Sequence, residues 1–154
     1  MRWATVILAV VVMLVAAPAW AGEAGLAAYS RGDYATALKE YRPLAEQGDA
    51  VAQFALGTMY ENGRGVLQND AKAVRWYRRG AEQGFASAQN SLGKMYRRGR
   101  GVPKNDVLAH MWWSLAAGQG HETARTARDR LAARMPTPQL AEAQRRAREW
   151  KPGQ

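Results

Sequence analysis

The segment Gly-Arg-Gly-Val occurs twice, at Gly63–Val66 and Gly99–Val102, and each copy is followed by two residues and then Asn-Asp. Glycine-rich loops that open a helix can cradle phosphate with backbone N–H groups, so nucleotide binding is the first chemistry to test. A Walker-type loop needs G-x-x-x-x-G-K-[ST] between a strand and a helix. Neither copy contains Gly-Lys-Ser/Thr, and helical spacing precedes both, so the loops are expected to turn a corner. An anion nest of backbone amides stays open as the alternative. His110 and His121 have no histidine or carboxylate at zinc-ligand spacing, and His110 is expected to pack. Ser30, Ser87, Ser91 and Ser114 have no glycine elbow. Glu61 and Asp70 are candidates for a pair, but the corresponding Arg97 and Asp106 do not repeat it. The chain has no cysteine, which excludes a thiolate metal site, a cysteine nucleophile and a disulfide scaffold. No catalytic residue, metal or cofactor is expected.

The elements that position these residues emerge from a repeat. Residues 45–80 laid over 81–116 match at 19 of 36 positions without a gap. Self-similarity at such a period marks an array whose units bury their apolar faces on one another. Within a unit, Ala52, Leu56, Met59 and Tyr60, then Ala88, Leu92, Met95 and Tyr96, recur at helical spacing. Gly63 and Gly99 suit the left-handed end of this helix A. Asp70 and Asp106 are expected to cap a helix B that carries Ala73, Trp76, Tyr77 and Ala81, or Ala109, Trp112, Trp113 and Ala117. Gly57, Gly93, Ala73 and Ala109 permit close helix approach, and Trp76 and Trp112 are expected to fill the space between layers. The fold expected is all-α: a solenoid of antiparallel helix pairs. Its boundaries are a partial repeat at 22–48, repeats at 49–84 and 85–120, and capping helices at 121–154. In the last of these Thr137 can cap, Pro138 suits the first turn, and Leu140, Ala143, Ala147 and Trp150 form one apolar stripe for the last open face.

The stretch AQFALGTMYENGRGVLQNDAKAVRWYRRGAEQG resembles a Sel-1-like repeat, a relative of the tetratricopeptide repeat, and both full copies follow that pattern closely. With the flanking half-units the resemblance covers most of Gly25–Gln119. It implies an α-solenoid that binds a peptide or protein domain, without a reaction. The unit is two residues longer than the tetratricopeptide's 34, an excess that fits in the Gly-Arg-Gly-Val loop. In related tetratricopeptide arrays the concave groove is lined by variable helix A positions. Carried over, these become Val51, Phe54, Thr58 and Glu61, then Ser87, Asn90, Lys94 and Arg97, and one period later Thr123, Thr126 and Arg130. The implied partner-binding set is therefore Phe54, Thr58, Glu61, Asn90, Lys94, Arg97 and Arg130, running from neutral or acidic to basic and suited to an acidic partner. Some cysteine-rich exported relatives carry a β-lactamase label; this chain lacks their cysteines and has no Ser-x-x-Lys.

At the N-terminus, Arg2, an apolar run from Trp3 to Ala17 and the small-residue site Ala19-Trp20-Ala21 have the parts of a secretory signal. Cleavage is expected after Ala21, with an uncleaved anchor as the competing reading, which places the protein in the periplasm or outside the cell and off the membrane. Removal of Arg2 leaves 21 basic against 13 acidic residues, a net +8. In an exported protein this charge points away from nucleic acid and toward acidic protein surfaces or anionic envelope polymers. The alternative function is thus binding of an anionic polymer or membrane surface through Arg125, Arg128, Arg130, Arg134, Arg145, Arg146 and Arg148. Glu142 stands four residues before Arg146, an order that favours pairing on a helix.

Overall fold

The computed structural model describes residues 20–153, and all the elements among them are α-helices. They are α1 (Trp20–Ser30), α2 (Tyr34–Glu46), α3 (Ala50–Asn62), α4 (Asp70–Glu82), α5 (Ala86–Arg98), α6 (Asp106–Gly118), α7 (Glu122–Ala132) and α8 (Thr137–Glu149). Each helix from α1 to α7 packs on the next, so the odd-numbered A helices and the even-numbered B helices form two layers. The expected secretory segment lies outside the described residues except for Trp20 and Ala21, which begin α1.

The boundaries follow from local chemistry. Gly63 and Gly99 end α3 and α5 with φ of 64° and 65°, the left-handed geometry their position required. The B helices are capped one residue earlier than expected. Asn69 and Asn105 accept the N–H of Lys72 and Leu108, each at 2.9 Å. Both asparagines are extended, with φ near −150°, which aims the side chain back at the first turn. Asp70 and Asp106 are the first helical residues, where a negative charge faces the positive end of the helix. Thr137 likewise starts α8 without a capping hydrogen bond, because the chain enters that helix through Pro136.

Packing within each pair turns on a glycine beneath an aromatic ring. A Cβ on Gly57 would stand 2.5 Å from the Tyr77 ring, one on Gly93 2.7 Å from Trp113, and one on Gly25 2.8 Å from Tyr41. The aromatic residues recur every 36 positions, and α1 supplies a first helix A through a shorter turn. Tyr77 and Trp113 are buried, while Trp76, expected between the layers, is only half-buried. It lies along the outer side of α4 with the Arg79 guanidinium 4.8 Å from its ring.

Successive pairs are tied by glutamines. Gln53 Nε2 donates to the Ala45 carbonyl at 3.1 Å and Gln89 Nε2 to the Ala81 carbonyl at 3.2 Å. Gln83 and Gln119 in turn donate to the Gln53 and Gln89 side-chain oxygens at 2.7 and 3.0 Å. Each buried amide thereby satisfies a helix B terminus that lies away from water.

The two repeats differ where α8 lies. Lys72, Arg75 and Arg79 on α4 correspond to Leu108, Met111 and Leu115 on α6. The latter give α6 an apolar outer stripe, and α8 packs on it. Trp150 meets Trp112 edge-on with centroids 6.0 Å apart, Ala143 is fully buried, and the Gly153 N–H donates to the Glu82 carbonyl at 2.9 Å.

Candidate functional site

The side chains that face outward along the A-helix row change character from one unit to the next. At equivalent positions stand Thr58, Lys94 and Arg130, and the residue after Gly25 adds Leu26 at the head of the row. Near α1–α3 a cavity of about 210 Å³ is walled by Leu26, Tyr29, Tyr41, Val51, Phe54 and Thr58. Leu26 and Val51 are 59% and 54% exposed, so this end presents apolar surface to solvent. Phe54 is held in place by Tyr77 and Phe85, with centroids 5.9 and 5.7 Å away.

Between α5 and α7 lies a second cavity of about 340 Å³, lined by Asn90, Lys94, Arg97, Arg98, Trp113, Thr123, Ala127, Arg130, Leu131 and Arg134. Five of these are cations and none is an acid. Lys94 and Arg97 are anchored by Glu61 at 3.1 Å and Asp106 at 3.2 Å. Arg98, Arg130 and Arg134 make no salt bridge among the described residues. Trp113 spans the cavity floor, its indole N–H donating to the Asn90 carbonyl at 3.1 Å. The arrangement can bind carboxylates through planar guanidinium groups.

Of the sequence-derived set, Asn90, Lys94, Arg97 and Arg130 thus meet at the basic cavity, and Phe54 and Thr58 meet at the apolar one. Glu61 stands apart. Its side chain is only 9% exposed, accepts the Tyr77 hydroxyl proton at 2.6 Å, and faces Lys94 and Arg100. Glu61 and Asp70, paired in expectation, meet through Arg100, which binds Asp70 with two nitrogens at 2.8 and 3.0 Å and Glu61 at 3.4 Å. Burial, reinforced by the Glu61 carboxylate, pushes the Tyr77 hydroxyl above its usual pKa.

The loop arginines were missed in the sequence. Arg100 clamps its loop to α4 and to the end of α3, and Arg64 does the same one repeat earlier, hydrogen-bonded to the Tyr29 hydroxyl and 5.5 Å from the rings of Tyr29 and Tyr34. The loop therefore turns a corner and also staples each unit to the one before it. The signal was the arginine held between two glycines at the same place in both copies.

His110 is buried at 3% exposure, with its Nδ1 3.3 Å from the Ser114 hydroxyl. Burial, aided by nearby Arg128 and opposed by Asp129, lowers its pKa. Because folding disfavours the charged form, the unfolded chain takes up the proton first as pH falls through about 6.5. Stability from this group is full above that pH and is lost as the pH drops toward the folded value. The melting temperature should therefore decline from pH 6.5 to 5. In His110→Val, which installs the residue found at position 74, the curve should be flatter over that interval. His121 instead caps α7, its Nδ1 accepting the Ala124 N–H at 3.3 Å.

The arginine-rich end is less available than its sequence implies. Arg145 and Arg146 are paired with Glu142 at 2.8 and 2.6 Å, Arg125 with Glu122 at 3.6 Å and Arg128 with Asp129 at 2.8 Å. Arg130 and Arg134 belong to the cavity. Among the described residues no helix is long and apolar enough to cross a membrane.

A family model for the Sel1 repeat matches residues 50–85 and 86–121. No curated protein matches the chain. Among solved structures, a protective antigen present in uropathogenic Escherichia coli strains and displaying an SLR fold is 28% identical with a TM-score of 0.80, the match covering 84% of this chain and 29% of that one. A Sel1 repeat protein from Oxalobacter formigenes is 32% identical with a TM-score of 0.71, the match covering 84% of this chain and 56% of that one. This chain spans less than two thirds of either neighbour's length.

Proposed function

We propose that this chain, which carries two Sel1 repeats in a Sel1-like solenoid, holds an acidic segment of a partner protein along its A-helix face. Sel1 repeats mediate protein–protein interaction, and proteins built from them are typically scaffolds without catalysis. The observation that carries the finer reading is the basic cavity, in which Arg98, Arg130 and Arg134 converge without an acidic partner of their own. The apolar cavity at the other end of the same row offers a second foothold for the bound segment. We further propose, from its leader-like N-terminal sequence, that this adaptor is exported to the periplasm or outside the cell.

The test is charge reversal at the three arginines that have no salt bridge. Lys94 and Arg97 are poor probes, because Lys94→Glu would set a second carboxylate against the shielded Glu61. The triple variant Arg98→Glu, Arg130→Glu and Arg134→Glu should keep its stability within about 0.5 kcal/mol, as exposed positions do. Partners captured from an envelope fraction by the wild type should be lost, and the wild-type interaction should weaken with added salt. Full capture by the triple variant would overturn this reading.

A further inference from the structure

The outer face of α4 carries Lys72, Arg75, Trp76 and Arg79, one period before Leu108, Met111, Trp112 and Leu115 on α6. On α6 that face is occupied by α8, whose Trp150 packs edge-on against Trp112. On α4 it stands open as a cavity of about 200 Å³ formed with Tyr60. Three apolar residues have become three cations, yet the tryptophan is kept. The ring packs in part against the core of Ala52, Leu56 and Met59 and leaves the rest of its surface open beside these cations. The cations also lie against aromatic rings: Arg79 is 4.8 Å from the Trp76 centroid and Lys72 5.4 Å from that of Tyr60. Among the described residues, Lys72, Arg75 and Arg79 make no salt bridge.

We infer that this face receives an acidic amphipathic helix from a partner protein, seated as α8 is seated on α6. An apolar side chain of the visitor takes the place on Trp76 that Trp150 takes on Trp112. Its carboxylates face Lys72, Arg75 and Arg79, where α6 offers only apolar side chains. The face that α8 turns to α6, with Ala143 and Trp150, is apolar and would leave the α4 cations unanswered, so charge separates the two sites. The site shares no lining residue with the A-helix cavities.

The probe is a synthetic peptide of residues 137–152, held helical by a side-chain lactam and carrying Leu140→Glu and Ala147→Glu, which set carboxylates beside Ala143 and Trp150 on the face that meets α6. Added to the 15N-labelled protein at low salt, it should shift the Trp76 indole N–H resonance, assigned with Trp76→Phe. The variant Lys72→Glu, Arg75→Glu and Arg79→Glu, checked for an unchanged melting temperature, should weaken binding at least tenfold. The unsubstituted peptide should not bind this face, and the triple variant at positions 98, 130 and 134 should bind the acidic peptide as the wild type does. An unmoved Trp76 resonance overturns the inference, as does binding that survives charge reversal on α4. Anionic phosphatidylglycerol vesicles that occupy the face while the peptide does not would overturn it in favour of a lipid surface.

Discussion

Truncation of Tyr77 to alanine should lower stability by about 3–5 kcal/mol, the range for large buried side chains. The neighbouring Trp76→Ala should cost only roughly 1 kcal/mol, as partly exposed positions do. Tyr77 is 1% exposed and its ring lies flat on Gly57, so its removal opens a void between α3 and α4 that neither helix can close without breaking its own hydrogen bonds. Its hydroxyl donates to Glu61 at 2.6 Å and lies 3.3 Å from the Thr58 hydroxyl. Loss of that donor leaves a shielded carboxylate short of a partner. Tyr77→Phe isolates the second effect and should cost about 1–2 kcal/mol, the penalty for an unmet hydrogen bond to a charged group. Urea unfolding of the three variants checks the order. A larger loss for Trp76→Ala than for Tyr77→Ala would contradict the assignment of the buried ring.

The second large effect belongs to the loop. Gly101→Ala should destabilise by roughly 3 kcal/mol, combining left-handed strain with a steric clash. Gly101 has φ of +69°, and a Cβ there would collide with the carbonyl of Asp70, a backbone atom in the first turn of α4. That turn is itself held by the Asn69 cap, so it has nowhere to retreat. Gly99→Ala is the control: its φ is +65°, but its Cβ would stand 3.2 Å from the Lys104 Cβ and 3.3 Å from the Lys104 N, close contacts that a shift of a few tenths of an ångström relieves. It should lose only about 1–2 kcal/mol, the cost of left-handed backbone alone. Equal melting temperatures for the two variants would show that the loop does not press on the preceding unit.

The period and the helix-ending glycines made the two central helix pairs legible in the sequence, since both signals are local and repeated. The caps were misread by one residue because asparagine and aspartate stand side by side and both accept hydrogen bonds; only the extended backbone at Asn69 and Asn105 separates them. Trp76 was expected to fill the space between the layers, with Tyr77 beside it on helix B. Yet the ring that enters the core is the one opposite Gly57, and that relation across the pair is invisible in a one-dimensional pattern. The site divided in the same way. Asn90, Lys94, Arg97 and Arg130 fall together because they occupy the variable helix A positions carried over from the repeat, whereas Arg98 and Arg134 join them from a repeat position the carried-over pattern does not include. Glu61 shares such a position and is nonetheless taken up by Tyr77, Lys94 and Arg100. Positions that differ between the copies also have two meanings: some line the A-helix face, while Leu108, Met111 and Leu115 differ from their counterparts because α8 covers them.

The acidic-segment reading is tested most directly by placing a photo-crosslinking benzophenone side chain at Thr123, on the wall of the basic cavity, and irradiating intact cells. One discrete partner should be trapped, with the linked peptide rich in aspartate or glutamate. The same probe at Thr36, on the exposed side of α2, should trap nothing comparable. If Thr123 yields no adduct while Thr36 captures a partner, or if the Thr123 adduct maps to a basic segment, the cavity is not the site at which this solenoid holds its partner.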